Sequence, residues 1–484
     1  MNTIKKLFTL SMALLIIGST AFSQTEKWTL EKCIQHALEN NIQIKQQKLQ
    51  LDINKKDHLQ SKANLLPTLN ADASHSFNSG RALDETTYQF TDNETIQSSN
   101  FNISSSLTLF SGLQKINSIK RAKLDLMAGV KNLEKIQNDI SINVTSAFLQ
   151  ILFNTDILTS TQNQLEVTKL QVERTKKLVD AGSLPQGNLL EIQAQAAQEE
   201  YNVVTYQNQL DLSVVQLTQL LELESPVGFE IEVPNITIEE HAKQLNDISS
   251  TYSMALSTMP EIASAELNVD IQEKNLQIAR GGYYPTLSLS AGMNSRYSSL
   301  QKTRTIPDLN SPATARQIGY VSGTGDPVMS MALYSQMISQ DYGFIDQFKD
   351  NKSSYLGFRL SIPILNGLQT RTRVAKAKIA QNQSMLQLES TKKDVLKKVQ
   401  QAFYDASAAL KKYHSSEKSV LAIKEAFRYT EEKYTVGMVN TLEYNQAKNR
   451  LIKAESDLIQ AKYEYVFKTN ILDFYRGNPI SLKQ

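Results

Sequence analysis

The segment Ser111-Gly112-Leu113-Gln114 returns later in the chain as Asn366-Gly367-Leu368-Gln369. The isolated glycines Gly182 and Gly437 repeat at the same spacing, since 367 − 112 and 437 − 182 both equal 255. Repetition at a fixed period is the signature of an architecture built from internal structural repeats. The sequence therefore predicts two structural repeats that follow the same order of elements.

A second repeated segment aligns the earlier part of each half. Leu66-Pro67-Thr68-Leu69 returns as Tyr284-Pro285-Thr286-Leu287 at a spacing of 285 − 67 = 218 residues. The two halves therefore align along their length except for an insertion of 255 − 218 = 37 residues, which lies between Pro285 and Gly367 in the second half. The length of 484 residues would suit about three ordinary domains. The repeat instead predicts one elongated unit with two halves.

The first residues have the pattern of a secretory signal peptide. Lys5 and Lys6 form a positive region, Leu7–Ile17 is apolar, and Ala21-Phe22-Ser23 is a small-x-small cleavage site. The pattern predicts a cleavable signal peptide over residues 1–23 and export of the chain. An uncleaved membrane anchor is the alternative interpretation.

Charge and the scarcity of reactive side chains argue against several classes of function. Loss of residues 1–23 would remove two lysines from a chain of net charge +2, leaving a balance of zero, which disfavours a nucleic-acid partner. Cys33 is the only cysteine, so no internal disulfide is possible, and it is expected on the first helix. The five histidines are scattered, and no phosphate loop or nucleophile elbow is present. We therefore expect no enzyme, no cofactor and no metal site.

Four stretches alternate apolar and small polar residues with a period of two, which is typical of β-strands. They lie at about 68–78, 100–110, 285–295 and 355–364. Each is about ten residues long, the length that a tilted strand needs to cross a bilayer. Four strands are too few to close a membrane barrel, so several chains would have to contribute to one; three chains would give twelve strands. Half-buried strands of a soluble sheet are the alternative.

The segment that joins the second strand pair, residues 297–354, contains the 37-residue insertion. It is rich in Ser, Gly, Pro and Gln, and Thr324-Gly325-Asp326-Pro327 is a turn signal. Long polar connections on one side of a membrane barrel are usually extracellular. We therefore expect this segment to be an extracellular loop.

Long polar stretches with a narrow apolar stripe predict coiled-coil helices in both repeats. The first repeat has helical patterns from Ile116 to about Val179 and from Gln186 to Leu223, with a break at Gly182. The second has them from Thr370 to Thr435 and from Thr441 to Tyr475, with a break at Gly437. Glycine at each break suits a tip that needs positive φ.

Together these features resemble the TolC family of outer-membrane efflux proteins over essentially the whole mature chain. The most specific matches are the strand starts at Pro67 and Pro285, the strand-to-helix turns at Gly112 and Gly367, and the tip Tyr434-x-x-Gly437 followed by Glu443. The resemblance implies a mixed α and β membrane protein in the outer membrane and periplasm. Its trimer would have a twelve-stranded β-barrel in outer-membrane lipid, four strands per chain, continued by a long α-helical coiled-coil periplasmic tunnel. The repeats would span 24–223 and 251–484, and 224–250 would join them in an equatorial belt.

The resemblance also implies a periplasmic gate and a surface for a partner. The gate residues would be Glu443, Gln446, Tyr434 and Asn188; Gln446 stands where an acid is often found in the family. The two tips would contact a periplasmic adaptor, the membrane fusion protein, through Gly182, Ser183, Leu184, Gly437, Met438 and Val439.

The function that the resemblance implies is that of an exit duct in a tripartite efflux system. The duct would passively conduct small molecules when coupled to the adaptor and to a proton-driven inner-membrane pump. One alternative is the outer-membrane component of an ATP-driven protein or peptide secretion system. Another is a secreted coiled-coil structural protein without a pore, which the strand pattern disfavours.

Overall fold

The computed structural model describes residues 27–81, 83, 88, 90, 94–234, 247–311, 314–332 and 337–480. The predicted signal peptide, residues 1–23, lies outside them, as does part of the predicted linker, residues 235–246. Two compact units are present. The first takes its described residues from Met1–Lys56, Lys123–Gln272 and Ala380–Gln484, and the second from Asp57–Ala122 and Glu273–Ile379. Each unit contains parts of both repeats, so the repeats themselves are not the compact units.

The helices reproduce the repeat in their lengths. They are α1 Leu30–Asn40, α2 Ile42–Ala63, α3 Gln114–Asp180, α4 Gln186–Leu220, α5 Ile248–Thr258, α6 Pro260–Gly281, α7 Phe344–Asp350, α8 Gln369–Thr435 and α9 Thr441–Tyr475. The two longest, α3 and α8, each have 67 residues, and α4 and α9 each have 35. The four predicted long helices are therefore confirmed to within a few residues. Among the described residues, no helix has both the length and the apolar character needed to cross a membrane.

In the first unit, α1 packs against the middle of α3 and the end of α4. Thr29 caps α1, because its Oγ1 accepts a hydrogen bond from the Lys32 amide at 3.1 Å. Cys33 is fully buried on α1, as expected, in a cluster that includes Phe148 and Leu217. The Trp28 amide donates to the Glu230 carbonyl and the Trp28 carbonyl accepts from the Glu232 amide, so the chain that follows α4 joins the same cluster. The long polar helices are thus anchored by a local apolar core.

A second cluster in this unit belongs to the other repeat. Ala255, Met259 and Ile262, from α5 and the start of α6, pack against Val395 and Val399 of α8. Burial of such side chains contributes about 1.5–3 kcal/mol each for the larger ones. Helix α5 was not predicted from the sequence, because its mixed Ser, Thr and Met composition gives little periodic signal.

The second unit is built on β-strands. These are β1 Thr68–Gly80, β2 Glu94–Ser111, β3 Thr286–Ser298, β4 Thr303–Pro307, β5 Thr314–Tyr320, β6 Pro327–Ala332, β7 Met337–Asp341 and β8 Ser353–Ser361. The four predicted strands form one antiparallel sheet in the order β1-β2-β3-β8, which joins the two repeats between β2 and β3. Pro67 and Pro285 directly precede β1 and β3, as expected.

Several strand boundaries differ from the sequence prediction, by up to six residues. β2 begins at Glu94, several residues before the predicted start at 100. β8 ends at Ser361 rather than at Ile364. Pro363 explains the second difference, because proline has no N–H to donate to a strand ladder.

The register confirms the predicted two-faced character of the sheet. Leu289 lies between Leu107 and Phe358 on one face, and Ser290 lies between Ser106 and Gly357 on the other. A bulge between Thr108 and Phe110 leaves Leu109 unpaired and sets Phe110 opposite Leu287 on the apolar face. The strict alternation predicted through Leu109 is therefore wrong at this point, but the bulge preserves the apolar face.

The connection between β3 and β8 has regular structure that the sequence analysis did not predict. β4 pairs with β7, and β5 pairs with β6, so the two pairs form nested hairpins followed by the short helix α7. Glycine and proline are frequent here and mark the turns between short strands, whereas the strands themselves are too short to give a clear alternating pattern. The connection predicted over residues 297–354 therefore contains β4–β7 and α7, which its sequence pattern did not indicate.

Candidate functional site

Each long helical hairpin ends in the same backbone motif. In the first hairpin, the Gly182 amide donates to the Val179 carbonyl at 2.9 Å and the Ser183 amide donates to the Leu178 carbonyl at 2.8 Å. These two bonds define a Schellman motif, in which the residue at C′ has a left-handed conformation. Gly182 has φ 73°, which glycine adopts without steric cost.

The tip of the second hairpin repeats this motif residue for residue. The Gly437 amide donates to the Tyr434 carbonyl at 3.1 Å, and the Met438 amide donates to the Lys433 carbonyl at 2.8 Å. Gly437 has φ 77°. The breaks between the long helices at Gly182 and Gly437 therefore share one backbone geometry.

The tip of the second hairpin exposes several apolar side chains. Val436, Met438 and Leu442 are 69%, 75% and 57% exposed. Val439 is half-buried, and so is Leu184 at the first tip, whereas Ser183 is exposed. An apolar surface at the end of a polar hairpin is a feature of sites that bind another protein.

The predicted gate residues lie at the start of the returning helices. Glu443 and Gln446 are both exposed and lie three residues apart, on one side of α9. Asn440 caps α9, because its Oδ1 accepts a hydrogen bond from the Glu443 amide at 2.8 Å. Asn188 is half-buried in the first turn of α4, where Pro185 occupies the cap position without a side-chain bond. The carboxylate of Glu443 is thus held on a capped, regular helix and faces solvent.

Tyr434 packs within its own hairpin. Its ring stacks on Tyr444 with centroids 4.6 Å apart, and its hydroxyl lies 3.5 Å from the Thr441 hydroxyl. The fully buried Tyr444, rather than Tyr434, contacts the other hairpin, since its hydroxyl accepts a hydrogen bond from Gln171 of α3. Within one chain, Tyr444 is therefore the aromatic link between the hairpins, and the sequence analysis did not identify it.

A buried ion pair lies one helical turn beyond Tyr444. Lys448 Nζ on α9 is 3.2 Å from Glu199 Oε1 on α4, and the side chains are 1% and 3% exposed. Thr168 of α3 accepts a hydrogen bond from Lys448 and donates one to Glu199. Gln195 Nε2 donates to Glu199 Oε1 at 2.8 Å. Three helices from both hairpins therefore meet at one charged cluster.

Burial perturbs the titratable groups of this region. It lowers the pKa of Lys448, and the nearby Glu199 carboxylate opposes that shift. It also raises the pKa of Tyr444 to about 12. The stability of a buried ion pair depends on the distance between its two charges. If they separate, the attraction is lost but the cost of removing both charges from water remains. The arrangement makes this cluster a rigid junction between the hairpins.

The strand-to-helix turns are the third predicted feature, and they lie in the second unit. Gly112 and Gly367 have φ 61° and 59°, and the following residues, Leu113 and Leu368, are also left-handed at φ 61° and 63°. The surroundings differ. A Cβ on Gly112 would lie 2.4 Å from the Gly281 carbonyl oxygen, whereas one on Gly367 would meet no described heavy atom within 4 Å. The repeat therefore conserves the turn but not its packing.

Comparison with known proteins identifies the family. The model of the outer membrane efflux protein family matches residues 33–222 and 251–478, which is most of the chain in two blocks. This chain belongs to the outer membrane efflux protein family. The outer membrane is the location that the family indicates.

Curated relatives of this outer membrane efflux protein match over nearly the whole chain. Outer membrane protein TolC of Escherichia coli (strain K12) is 22% identical over 469 residues, covering 96% of this chain and 84% of that protein. The alkaline protease secretion protein AprF of Pseudomonas aeruginosa is 21% identical over 450 residues, covering 91% and 82%.

Solved structures agree on the fold. The Campylobacter jejuni CmeC outer membrane channel superposes with a TM-score of 0.75 at 13% identity and covers 96% of this chain and 89% of its own. The Neisseria gonorrhoeae MtrE outer membrane channel, solved in an open state, gives a TM-score of 0.67 at 18% identity and covers 92% and 88%. At these identities the likeness shows the fold of an outer-membrane channel.

Proposed function

We propose that this chain is the outer-membrane exit duct of a tripartite efflux system. The observation that carries the proposal is the register of the four-stranded sheet, which separates an apolar face from a face of Ser, Asn and Thr. A strand with one apolar and one polar face suits a barrel wall between lipid and a wet lumen. The family and the fold of the CmeC and MtrE channels support the same function.

The barrel would form from three copies of the chain. In one copy the outer strands of the sheet are β1 and β8, which come from different repeats. Edge strands present unpaired main-chain groups, which must be paired or covered inside a membrane. Pairing β8 of one copy with β1 of the next would close a head-to-tail ring of twelve strands. The helices of the three copies would continue this ring as a periplasmic tunnel.

Glu443 would close the periplasmic end of the tunnel together with Gln446, Tyr434 and Asn188. The exposed Glu443 carboxylate sits directly behind the second tip, where three copies would place three like charges around a narrow opening. A ring of carboxylates attracts cations and resists anions. Gln446 would contribute hydrogen bonds but no charge. Of positions 443 and 446, only Glu443 would therefore form a ring of carboxylates in the trimer.

The two tips would be the contact surface for a periplasmic adaptor. The exposed apolar side chains of Val436, Met438 and Leu442 support this part of the proposal, because such side chains in water favour a partner. The Schellman turns at Gly182 and Gly437 hold both tips in a defined backbone shape. Energy for transport would come from a proton-driven inner-membrane pump, while the duct itself conducts passively.

Protein or peptide secretion is the second candidate function. The relatives AprF and PrtF are named as protease secretion proteins, so channels of this kind serve secretion as well as efflux. The partner at the tips would then belong to an ATP-driven transporter. The duct would need the same barrel and tunnel in either case.

Site-specific photo-cross-linking in native membranes tests the proposal. A photoreactive amino acid at Met438 is compared with one at Leu421, which is also well exposed but lies within α8, away from the tip. We expect Met438 to capture an adaptor, with a proton-driven pump in the same complex. An ATP-driven transporter in place of that pump would favour secretion. The duct would be contradicted if neither position captured an adaptor or a transporter and the protein could be extracted without detergent.

A further inference from the structure

A short helix covers part of the apolar face of the sheet near the end of β3. α7, Phe344–Asp350, follows the nested hairpins and directly precedes β8. Its rings pack edge-on against the sheet, with Phe348 5.2 Å from Phe101 and Phe344 5.2 Å from Tyr297. Phe101 pairs with Ser295 on the same face as Ile103 and Met293. The helix therefore lies on the side of the sheet that the proposed barrel would turn toward lipid.

Hydrogen bonds hold this helix firmly in place. The buried Gln347 accepts from the Ser298 amide at 2.9 Å and donates to carbonyls that include those of Ser298 and Gln301. The Ser295 hydroxyl donates to the Phe348 carbonyl at 2.7 Å, and Asn351 Nδ2 donates to the Arg296 carbonyl at 2.9 Å. Every one of these bonds joins the helix or its flanks to the end of β3 or the chain just after it. The helix is therefore fixed to the end of β3 by side-chain hydrogen bonds.

The same helix leaves apolar side chains in the open. Phe344 is 45% exposed and Ile345 is 64% exposed, while Lys349 and Lys352 are exposed at its far end. Exposure of large apolar groups on a seven-residue helix that is already fixed to the sheet requires a partner surface. Aromatic residues flank the apolar band of membrane barrels at the height of the lipid headgroups.

The position on the sheet indicates which partner this is. Within the four-stranded sheet, the ring contacts of α7 are with β2 and β3, the two central strands, whereas a second copy of the chain would join at the edge strands β1 and β8. The exposed side chains continue the row of apolar side chains formed by Ile103 and Met293, which are 51% and 50% exposed. If the apolar face of the sheet contacts lipid, the exposed apolar side chains of α7 beside it contact lipid as well.

We propose that α7 is an interfacial anchor that inserts Phe344 and Ile345 among the acyl chains at the outer boundary of the membrane. The ammonium groups of Lys349 and Lys352 then lie at the level of lipid phosphate, which attracts them. The proposal rests on the proposed barrel, because it assigns lipid to the apolar face of the sheet. It gives the 37-residue insertion a role in fixing the depth at which the duct sits.

Nitroxide accessibility in liposomes tests this assignment. A spin label is attached at Ile345→Cys in a Cys33→Ala background, and its collisions with oxygen, which enters the bilayer, are compared with those of a water-soluble nickel complex. Met293→Cys is the control for the strand wall, and Ser322→Cys, in the exposed turn between β5 and β6, is the control for water. We expect oxygen to be favoured severalfold at 345, less than at 293 and far more than at 322.

The outcomes separate the anchor from the duct. Oxygen preference at 293 with a water-like signal at 345 would overturn the anchor and leave the barrel intact. Water-like signals at both positions would overturn the barrel and the anchor together. A label at 345 that is immobile and hidden from both reagents would indicate a protein neighbour and would also overturn lipid as the partner. If the first variant does not fold, a label at the exposed Lys349→Cys is expected to show an oxygen preference between those at 293 and 322, as suits the headgroup level, and a signal equal to that at 322 would overturn the anchor.

Discussion

Lys448 Nζ lies 3.2 Å from Glu199 Oε1, and both side chains are almost completely shielded from water. The pair joins the returning helices of the two hairpins, and Thr168 adds the long helix of the first. Two charges taken out of water are costly, and their attraction offsets the cost only while they stay together. The junction is therefore stable in one arrangement of the hairpins and strongly penalised in others.

The first prediction concerns this pair. Lys448→Met should lower the free energy of unfolding by about 3–5 kcal/mol, because it leaves Glu199 buried without its cation. The double variant with Glu199→Gln should cost clearly less than the sum of the two single variants. Urea unfolding followed by circular dichroism measures both quantities.

The exposed pair of Lys412 and Glu464 is the matched control. Its atoms are 2.6 Å apart, but the side chains are 49% and 37% exposed. Lys412→Met should therefore cost less than about 1 kcal/mol. If Lys412→Met and Lys448→Met lowered the free energy of unfolding equally, burial of the Lys448–Glu199 pair would not add to its effect on stability.

A second prediction compares the two strand-to-helix turns. Alanine at either Gly112 or Gly367 must adopt positive φ, at a cost of about 1–2 kcal/mol. Gly112→Ala also sets its Cβ 2.4 Å from the Gly281 carbonyl oxygen and 2.9 Å from Tyr284 Cβ, so the backbone must move. We expect Gly367→Ala to fold with a modestly lower thermal midpoint and Gly112→Ala to give little folded protein. The reverse order would mean that the close approach of Gly112 to Gly281 is absent in the folded chain.

The third prediction uses the single thiol. Burial raises the pKa of Cys33 from its usual value near 9 to about 12, and the side chain is fully buried. At pH 8 the native thiol should therefore react with Ellman's reagent far more slowly than the thiol of the urea-unfolded chain. Between pH 9 and 12 the unfolded thiol loses its proton while the folded one keeps it, so this group's contribution to stability falls as pH rises. Rapid labelling of the native protein would place Cys33 outside the core.

A fourth prediction addresses the gate. Glu443→Ala should reduce the preference for cations in planar-bilayer conductance, because it removes the carboxylates that the trimer would place around the opening. Glu432→Ala is the control, since Glu432 is also exposed and lies near the tip, but it pairs with Arg428 at 2.8 Å on α8. Unchanged ion selectivity in Glu443→Ala would remove this residue from the constriction.

The fifth prediction tests the facing of the strands. Leu356 is 71% exposed on the apolar face near the middle of β8. Leu356→Arg should hinder trimer assembly in membranes at a cost of about 2–4 kcal/mol per copy, as expected for a cation in the middle of the bilayer. Ser290→Arg, on the polar face of β3, should assemble almost normally. Trimer yield on mild gel electrophoresis reads out both, and equal yields would show that the two faces are assigned wrongly.

Local patterns predicted the helices and the central sheet well. The helix from Thr441 to Tyr475 has the predicted ends, because a capping Asn440 precedes it and the glycine Gly477 follows it. The matching C′ position of the first repeat is Glu222, which has φ 58° although it is not glycine. Its carboxylate accepts a hydrogen bond from the Ile42 amide, a contact between residues 180 positions apart. A residue held by a distant partner gives no local signal, so this equivalence was not predictable.

The buried cluster of the candidate site was unpredictable for the same reason. Thr168, Glu199 and Lys448 come from three helices, and each alone reads as an ordinary polar residue of a coiled coil. Gln347 likewise reads as a loop residue, yet it is buried and bound to the chain around Ser298. Their roles depend on tertiary neighbours, which the period of a helix or strand does not encode.

The matched helix lengths limit how such a gene can change. Each repeat has one helix of 67 residues and one of 35. Loss of seven residues from one arm alone would leave the two arms of its hairpin out of step by about 10 Å. A viable change in length must therefore affect four separate stretches of coding sequence in a coordinated way. We therefore expect the four helix lengths to change together, whereas most single substitutions along the exposed helix faces leave the match of lengths intact.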